Sequence, residues 1–139
     1  MSAPSLVPVR DTVLAAMREQ ARLHLPEECC GLLAGKSEVV AELIPASNVL
    51  ASPRAYSIDP AELISAFRAM RERGFRHLGI YHSHPTGANF PSPRDVEMAF
   101  YPACAYFIVS LRVALDRQIR AFTIQNGRIT ELGIESIAG

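Results

Sequence analysis

This chain predicts a single α/β domain, a mixed central sheet flanked by helices, on three observations. Apolar runs of strand length alternate with amphipathic stretches that carry helix-start and helix-stop residues. The 139 residues are enough for one domain, read here as 1–139, that buries roughly two thirds of its unfolded surface. An Asn126-Gly127 pair joins the last two apolar runs, a strong hairpin signal.

Taken in order, Val13, Leu14, Met17, Ala21 and Leu25 recur at spacings near three and four and predict a helix over 12–24, ended by Pro26. Cys29 to Gly35 reads as a buried strand bounded by glycine, and Val39 to Ile44 as its hairpin neighbour. A second helix has Asp59 as its cap, Pro60 in the first helical position, Glu62 placed for a capping box and Gly74 as its stop. Its expected apolar stripe is Leu63, Ile64, Phe67 and Met70. His77 to His82 reads as a central strand, and Ser92 opens a third helix of about ten residues that stops near Pro102. Strands follow over Ala105 to Leu111, Gln118 to Gln125 and Arg128 to Ile134.

Composition excludes several functions. Lys plus Arg and Asp plus Glu stand at 14 each, so no net charge favours nucleic acid or an anionic membrane surface. No run of 18 apolar residues suggests a membrane span, and Met1-Ser2-Ala3-Pro4 lacks the cationic-then-apolar order of a secretion signal, so a cytoplasmic location is expected. Cys29, Cys30 and Cys104 form neither a C-x-x-C pair nor an even set, and are expected to be reduced and mostly buried.

The chemistry concentrates in His82-Ser83-His84-Pro85 and, with seven residues between His84 and Ser92, in Ser92-Pro93-Arg94-Asp95. Two histidines two apart at a strand end share a side, and a carboxylate from the next turn can complete a three-ligand zinc face with the fourth position left to water. Zinc so held lowers the pKa of its water to about 7. A proton shuttle then needs an uncoordinated carboxylate, for which Glu28 is the candidate, and the Ser92 hydroxyl is placed to donate to an oxyanion. The plain alternative for Ser92 and Asp95 is an ordinary helix start. With typical residue frequencies the whole constellation arises by chance on the order of once in 10⁷ positions, which favours the metal site. His24 and His77, with no partner at ligand spacing, read as surface or packing residues. A cysteine as fourth ligand is disfavoured because soft thiolates would close a catalytic site into a structural one.

These residues closely resemble the JAMM or MPN+ family of zinc metallopeptidases, whose signature is an upstream Glu, H-x-H-P, and an S-x-x-D beginning at the same distance. Glu28, His82, Ser83, His84, Pro85, Ser92 and Asp95 match it, and the resemblance runs from about residue 10 to residue 112. The family places its Glu two residues after a Pro, which favours Glu28 over Glu27. The resemblance implies a deaminase-like α/β sandwich and hydrolysis of a peptide or isopeptide bond after the C-terminal Gly-Gly of a ubiquitin-like protein. The short chain and its Tyr81 to Pro85 and Phe90 to Pro93 runs resemble the compact bacterial enzymes, several of which act on sulfur carriers and some of which release a C-terminal cysteine. The expected partner is therefore the C-terminal tail of a sulfur-carrier protein, bound as a strand added beside the catalytic sheet. The leaving group stays open between cysteine, a lysine side chain and a longer extension.

Two other readings compete. A non-catalytic scaffold of the MPN type would need no ligands, and here all are intact. A nucleobase deaminase wants H-x-E and P-C-x-x-C, and neither string occurs. The surfaces that would select a substrate, Lys36 to Tyr56 and Thr86 to Pro91, carry no motif.

Overall fold

A computed structural model describes residues 5–139; Met1 to Pro4, on which the reading of the N-terminus rests, lie outside the described residues. Seven strands and three α-helices follow in the order β1 Leu6–Arg10, α1 Asp11–Leu23, β2 Cys30–Lys36, β3 Val39–Ala46, α2 Pro60–Glu72, β4 Arg76–Ser83, α3 Pro93–Glu97, β5 Ala105–Val109, β6 Ile119–Gln125 and β7 Arg128–Ile137. The sheet is mixed, as expected: β2 runs antiparallel to β3 and β4, β4 parallel to β5, and β5, β6 and β7 are successively antiparallel.

The strands of this mixed sheet close on themselves in the order β1-β3-β2-β4-β5-β6-β7. Closure depends on β1, which the sequence reading omits. Leu6 to Arg10 pair in parallel with Gly133 to Ile137, and Val9 meets Val40 of β3. Helices cover both faces of the catalytic strands. Val13, Leu14, Met17 and Ala21 of α1 pack with Leu33, Tyr81 and Phe107, while Ala66 and Met70 of α2 pack with Leu32, Ile80 and Tyr106. Gly31 permits this: a Cβ there would fall against the Ile44 carbonyl and the Tyr81 ring.

Local signals hold with specific amendments. Leu25 lies beyond α1 and is 50% exposed, because the helix ends two residues earlier. In α2 the buried positions are Ala66 and Met70, and Ile64 is 60% exposed on the outer face. The Asp59 side chain caps Ala61 N and Glu62 N, but Glu62 does not return the bond; its carboxylate accepts from Ser47 N and so pins the segment after β3. Gly74 ends the helix at φ +69°. The third helix is five residues rather than about ten, its core-facing contacts passing to irregular chain around Ala99 and Tyr101. Asn126 and Gly127 take φ of 51° and 78°, the paired left-handed angles a type I′ hairpin requires. Among the described residues no helix is long and apolar enough to cross a membrane.

Candidate metal centre

β4 carries His82 to its end on the face it shares with Ile80, and leaves Tyr81 and Ser83 on the other. His82 is 1% exposed and stacks on Tyr56, with ring centroids 4.5 Å apart and 24° between planes. Beyond it, His84 N donates to Val109 O at 2.9 Å, which extends the β4–β5 pairing into the loop and turns the second imidazole toward the first. The short α3 then returns the carboxylate. Ser92 Oγ accepts from Asp95 N at 3.1 Å and Ser92 N donates to Asp95 Oδ2 at 2.9 Å, a complete capping box. The helix-cap reading and the ligand reading are thus both true of the same two residues.

Three donor atoms converge. His82 Nε2 lies 3.0 Å from His84 Nε2, His84 Nε2 3.0 Å from Asp95 Oδ2, and His82 Nε2 3.2 Å from Asp95 Oδ2. In a tetrahedral site with bonds of about 2.0–2.1 Å, adjacent ligand atoms stand about 3.3–3.4 Å apart, so these edges need to open by only a few tenths of an ångström. Protonation supports the fit: His84 Nδ1 is 2.8 Å from Ala88 O and donates to it in the neutral tautomer, which leaves Nε2 as a bare lone pair. His82, His84 and Asp95 are the residues of the described chain that could hold a metal ion. Without a cation, burial holds the His82 imidazole below its ordinary value. Burial also opposes charge on His84, but its hydrogen bonds to Asp95 and Ala88 O and the charges of Asp95 and Glu28 together outweigh this and raise it. Burial pushes the Asp95 carboxyl up, and the hydrogen bonds from the two histidines overcome that and hold it well below the carboxylate range.

Glu28 is brought beside this cluster but is not part of it. It is 3% exposed, its Oε1 has no hydrogen-bond partner, and burial pushes its carboxyl up to about 7 against the pull of His84 and Arg94. Its backbone is held from both sides. Glu28 N donates to Ser52 O at 2.9 Å, Asn48 Nδ2 donates to Glu28 O at 3.1 Å, and the next residue's N donates to Ser83 Oγ at 2.8 Å. Glu28, His84 and Ser92 line one cavity of about 170 Å³ together with Pro53, Arg54, Thr86 and Gly87. The Gly87 to Pro93 loop therefore does border the site, anchored by Ser110 Oγ donating to Gly87 O at 2.8 Å and by Asn89 donating to Arg117 O.

The remaining candidates fall where packing puts them. His24 is exposed, and His77 packs edge-on against Phe67 and Tyr101 away from the cluster. All three cysteines are free and buried, and burial pushes the Cys30 thiol up to about 12, which leaves it protonated and a poor ligand. β2 and β5 occupy both edges of β4, so this strand has no free edge of its own. The chain bordering the site beyond it is irregular.

That irregular chain, residues 47–58, holds what sequence reasoning missed. Asn48 organises it: Nδ2 donates to Glu28 O and Ala55 O, and Oδ1 accepts from Leu50 N and Ser57 N. Asn48→Ala is expected to cost about 1–3 kcal/mol of unfolding free energy, read by denaturant titration, because several backbone groups lose their partner at once. A lone Asn in a polar stretch gives no sequence signal of this, and Tyr56 gives none of its stacking on His82.

Comparison with known proteins agrees with this geometry. The family described as prokaryotic homologues of the JAB domain matches residues 10–125. A desampylase of Haloferax volcanii is 43% identical over 104 residues, covering 73% of this chain and 75% of its own. A CysO-cysteine peptidase of Mycobacterium tuberculosis is 35% identical over 125 residues, covering 88% and 86%. The solution structure of a Desulfitobacterium hafniense protein superposes with a TM-score of 0.85 at 31% identity, over 96% of this chain and 94% of that one.

Proposed function

Because the chain belongs to the family of prokaryotic homologues of the JAB domain, we propose that it is a zinc peptidase that cuts after the C-terminal Gly-Gly of a ubiquitin-like sulfur-carrier protein. One observation carries the chemistry: three ligand atoms converge beside a buried carboxylate that has no partner of its own. His82, His84 and Asp95 would hold the zinc. When bound, zinc supplies Lewis acidity that lowers the pKa of water to about 7 and polarises a carbonyl.

The chain's own groups do the rest. Glu28 takes the proton of the attacking water; as the carbon–oxygen bond forms and the carbon–nitrogen bond breaks, it returns that proton to the leaving amine. A carboxyl lifted to about 7 by burial is matched to taking and giving a proton near neutral pH. Ser92 Oγ already accepts from Asp95 N, so its O–H is free to donate to the oxyanion. The substrate's tail is bordered by 47–58 on one side and 84–91 on the other, and backbone groups of these segments supply its hydrogen bonds. We read the closed mixed sheet as the deaminase-like architecture and residues 1–139 as one catalytic domain. Three unpaired cysteines suit the reducing cytoplasm. An intact ligand set disfavours a non-catalytic scaffold.

Incubating the zinc-loaded protein with sulfur-carrier proteins that end in Gly-Gly-Cys or short extensions, read by intact mass, tests this. Loss of the residues after Gly-Gly is expected, and a chelator should stop it. Ser92→Ala should keep its zinc and slow turnover about 10²–10³-fold. Unprocessed carriers with a fully loaded site, or cleavage indifferent to chelation, would remove this reading.

A further inference from the structure

The cavity that joins Glu28 to Ser92 and His84 also contains a cation the proposed chemistry leaves unused. Arg54 is exposed at its wall. Arg22, Arg73, Arg76 and Arg120 are each paired with a glutamate, whereas the Arg54 side chain, like that of Arg94 and several other arginines, has no hydrogen bond or ion pair among the described residues. It is not spent on Glu28 either, since the arginine whose charge reaches that carboxyl is Arg94. Its backbone is placed: Arg54 N donates to Ser52 Oγ at 3.1 Å, and Ser52 O in turn accepts from Glu28 N. The base and the guanidinium are therefore carried on chain segments bonded to each other, and they line one open cleft.

That space is on the leaving-group side of the reaction. Glu28 must reach the departing nitrogen, so whatever follows the scissile bond lies in the cavity Glu28 lines. About 170 Å³ is roughly the room of five or six waters, enough to seat one small amino acid. The α-carboxylate of a residue joined through its α-amine sits two bonds from the departing nitrogen, in the cleft that Arg54 also lines. A guanidinium meets a carboxylate as a fork with two parallel hydrogen bonds. A lysine joined through its ε-amine offers only methylenes there, and a longer extension offers an uncharged amide.

Resting on the peptidase reading above, we propose that Arg54 binds the free C-terminal carboxylate of the leaving residue, and so makes the enzyme selective for carriers that end in a single amino acid after Gly-Gly. Arg54 is on this account a specificity-determining residue whose contact is made in the ground state and the transition state alike, so its loss raises KM more than it lowers kcat.

The experiment uses one ubiquitin-fold carrier prepared with three tails: Gly-Gly-Cys as free acid, Gly-Gly-Cys as C-terminal carboxamide, and Gly-Gly joined to a lysine ε-amine. Zinc-loaded wild type is expected to prefer the acid over the carboxamide by about 10- to 100-fold in kcat/KM, as a charge-assisted hydrogen bond allows. Arg54→Met should erase that preference by slowing the acid far more than the carboxamide, with its zinc content unchanged, and Arg54→Lys should restore part of it. Equal wild-type rates on acid and carboxamide, or an acid preference that survives Arg54→Met, would overturn the proposal and leave the peptidase intact. Equal slowing of both substrates by Arg54→Met would overturn it as well. Failure of the zinc-loaded wild type on all three tails would overturn the peptidase reading, and this inference with it.

Discussion

Glu28→Gln is expected to retain its metal and lose about 10²–10⁴-fold in kcat, the range a positioned general base supplies. The substitution is nearly isosteric, and the backbone bonds from Ser52 and Asn48 that hold residue 28 do not involve its side chain. Metal analysis alongside single-turnover cleavage checks it, and a fully active, metal-loaded variant would sink the assignment. The same variant reads the carboxyl's titration in the metal-free protein. Burial raises Glu28 from an ordinary value of 4.5 to about 7, so the folded state keeps a proton that the unfolded chain releases. Its contribution to stability is present below pH 4.5 and is lost as pH rises through about 7. Wild type should therefore lose on the order of 2–3 kcal/mol relative to Glu28→Gln across that window, in denaturant titrations of metal-free protein.

Asp95→Ala is expected to abolish cleavage and to empty the metal site, because one substitution removes both a ligand and half of a helix start. The Oδ2 that converges with the two imidazoles is the same atom that accepts from Ser92 N at 2.9 Å. Metal retention should fall by more than the roughly 10–100-fold that losing a ligand's supporting partner costs. The lost cap bond adds about 0.5–2 kcal/mol of destabilisation that is independent of metal. Asp95→Asn separates the two effects: an amide oxygen can still accept from Ser92 N, so the cap survives while the anionic ligand is gone. Competition with a chromogenic chelator gives the affinities, and thermal unfolding of the metal-free proteins gives the cap term. Tight metal binding by Asp95→Ala would exclude this residue from the ligand set.

Why the metal centre could be read from sequence and its surroundings could not is a matter of sequence range. His82, His84, Ser92 and Asp95 lie within one strand end and the turn after it, so spacing alone nearly dictates that they meet. Asn126-Gly127 is legible for the same reason, since the turn's left-handed angles are a property of those two residues. Glu28 reaches the site only because β2 pairs with β4, and it was legible through resemblance rather than through local pattern. The 47–58 segment has no period to read. Its order comes from Asn48 and from Ser47 N bonding to Glu62, contacts that exist only after α2 and β3 have docked. The sequence predicts a longer α3 than forms because the apolar residues after Glu97 pack as irregular chain, and its periodicity carries Leu25 past the point where α1 stops.

The closure of the sheet also bears on how the protein comes into being. Leu6 pairs with Gly133 and Arg10 with Ile137, so beyond the single Val9–Val40 contact with β3 the first strand finds its main parallel partner only when the last has been made. On the ribosome, β2, β3 and β4 can assemble among themselves while most of Leu6 to Arg10 waits for β7. Contacts this distant in sequence carry a large loop-closure entropy and slow folding. The final act is then ring closure, and the metal-binding end of β4 stands on strands that have formed before it.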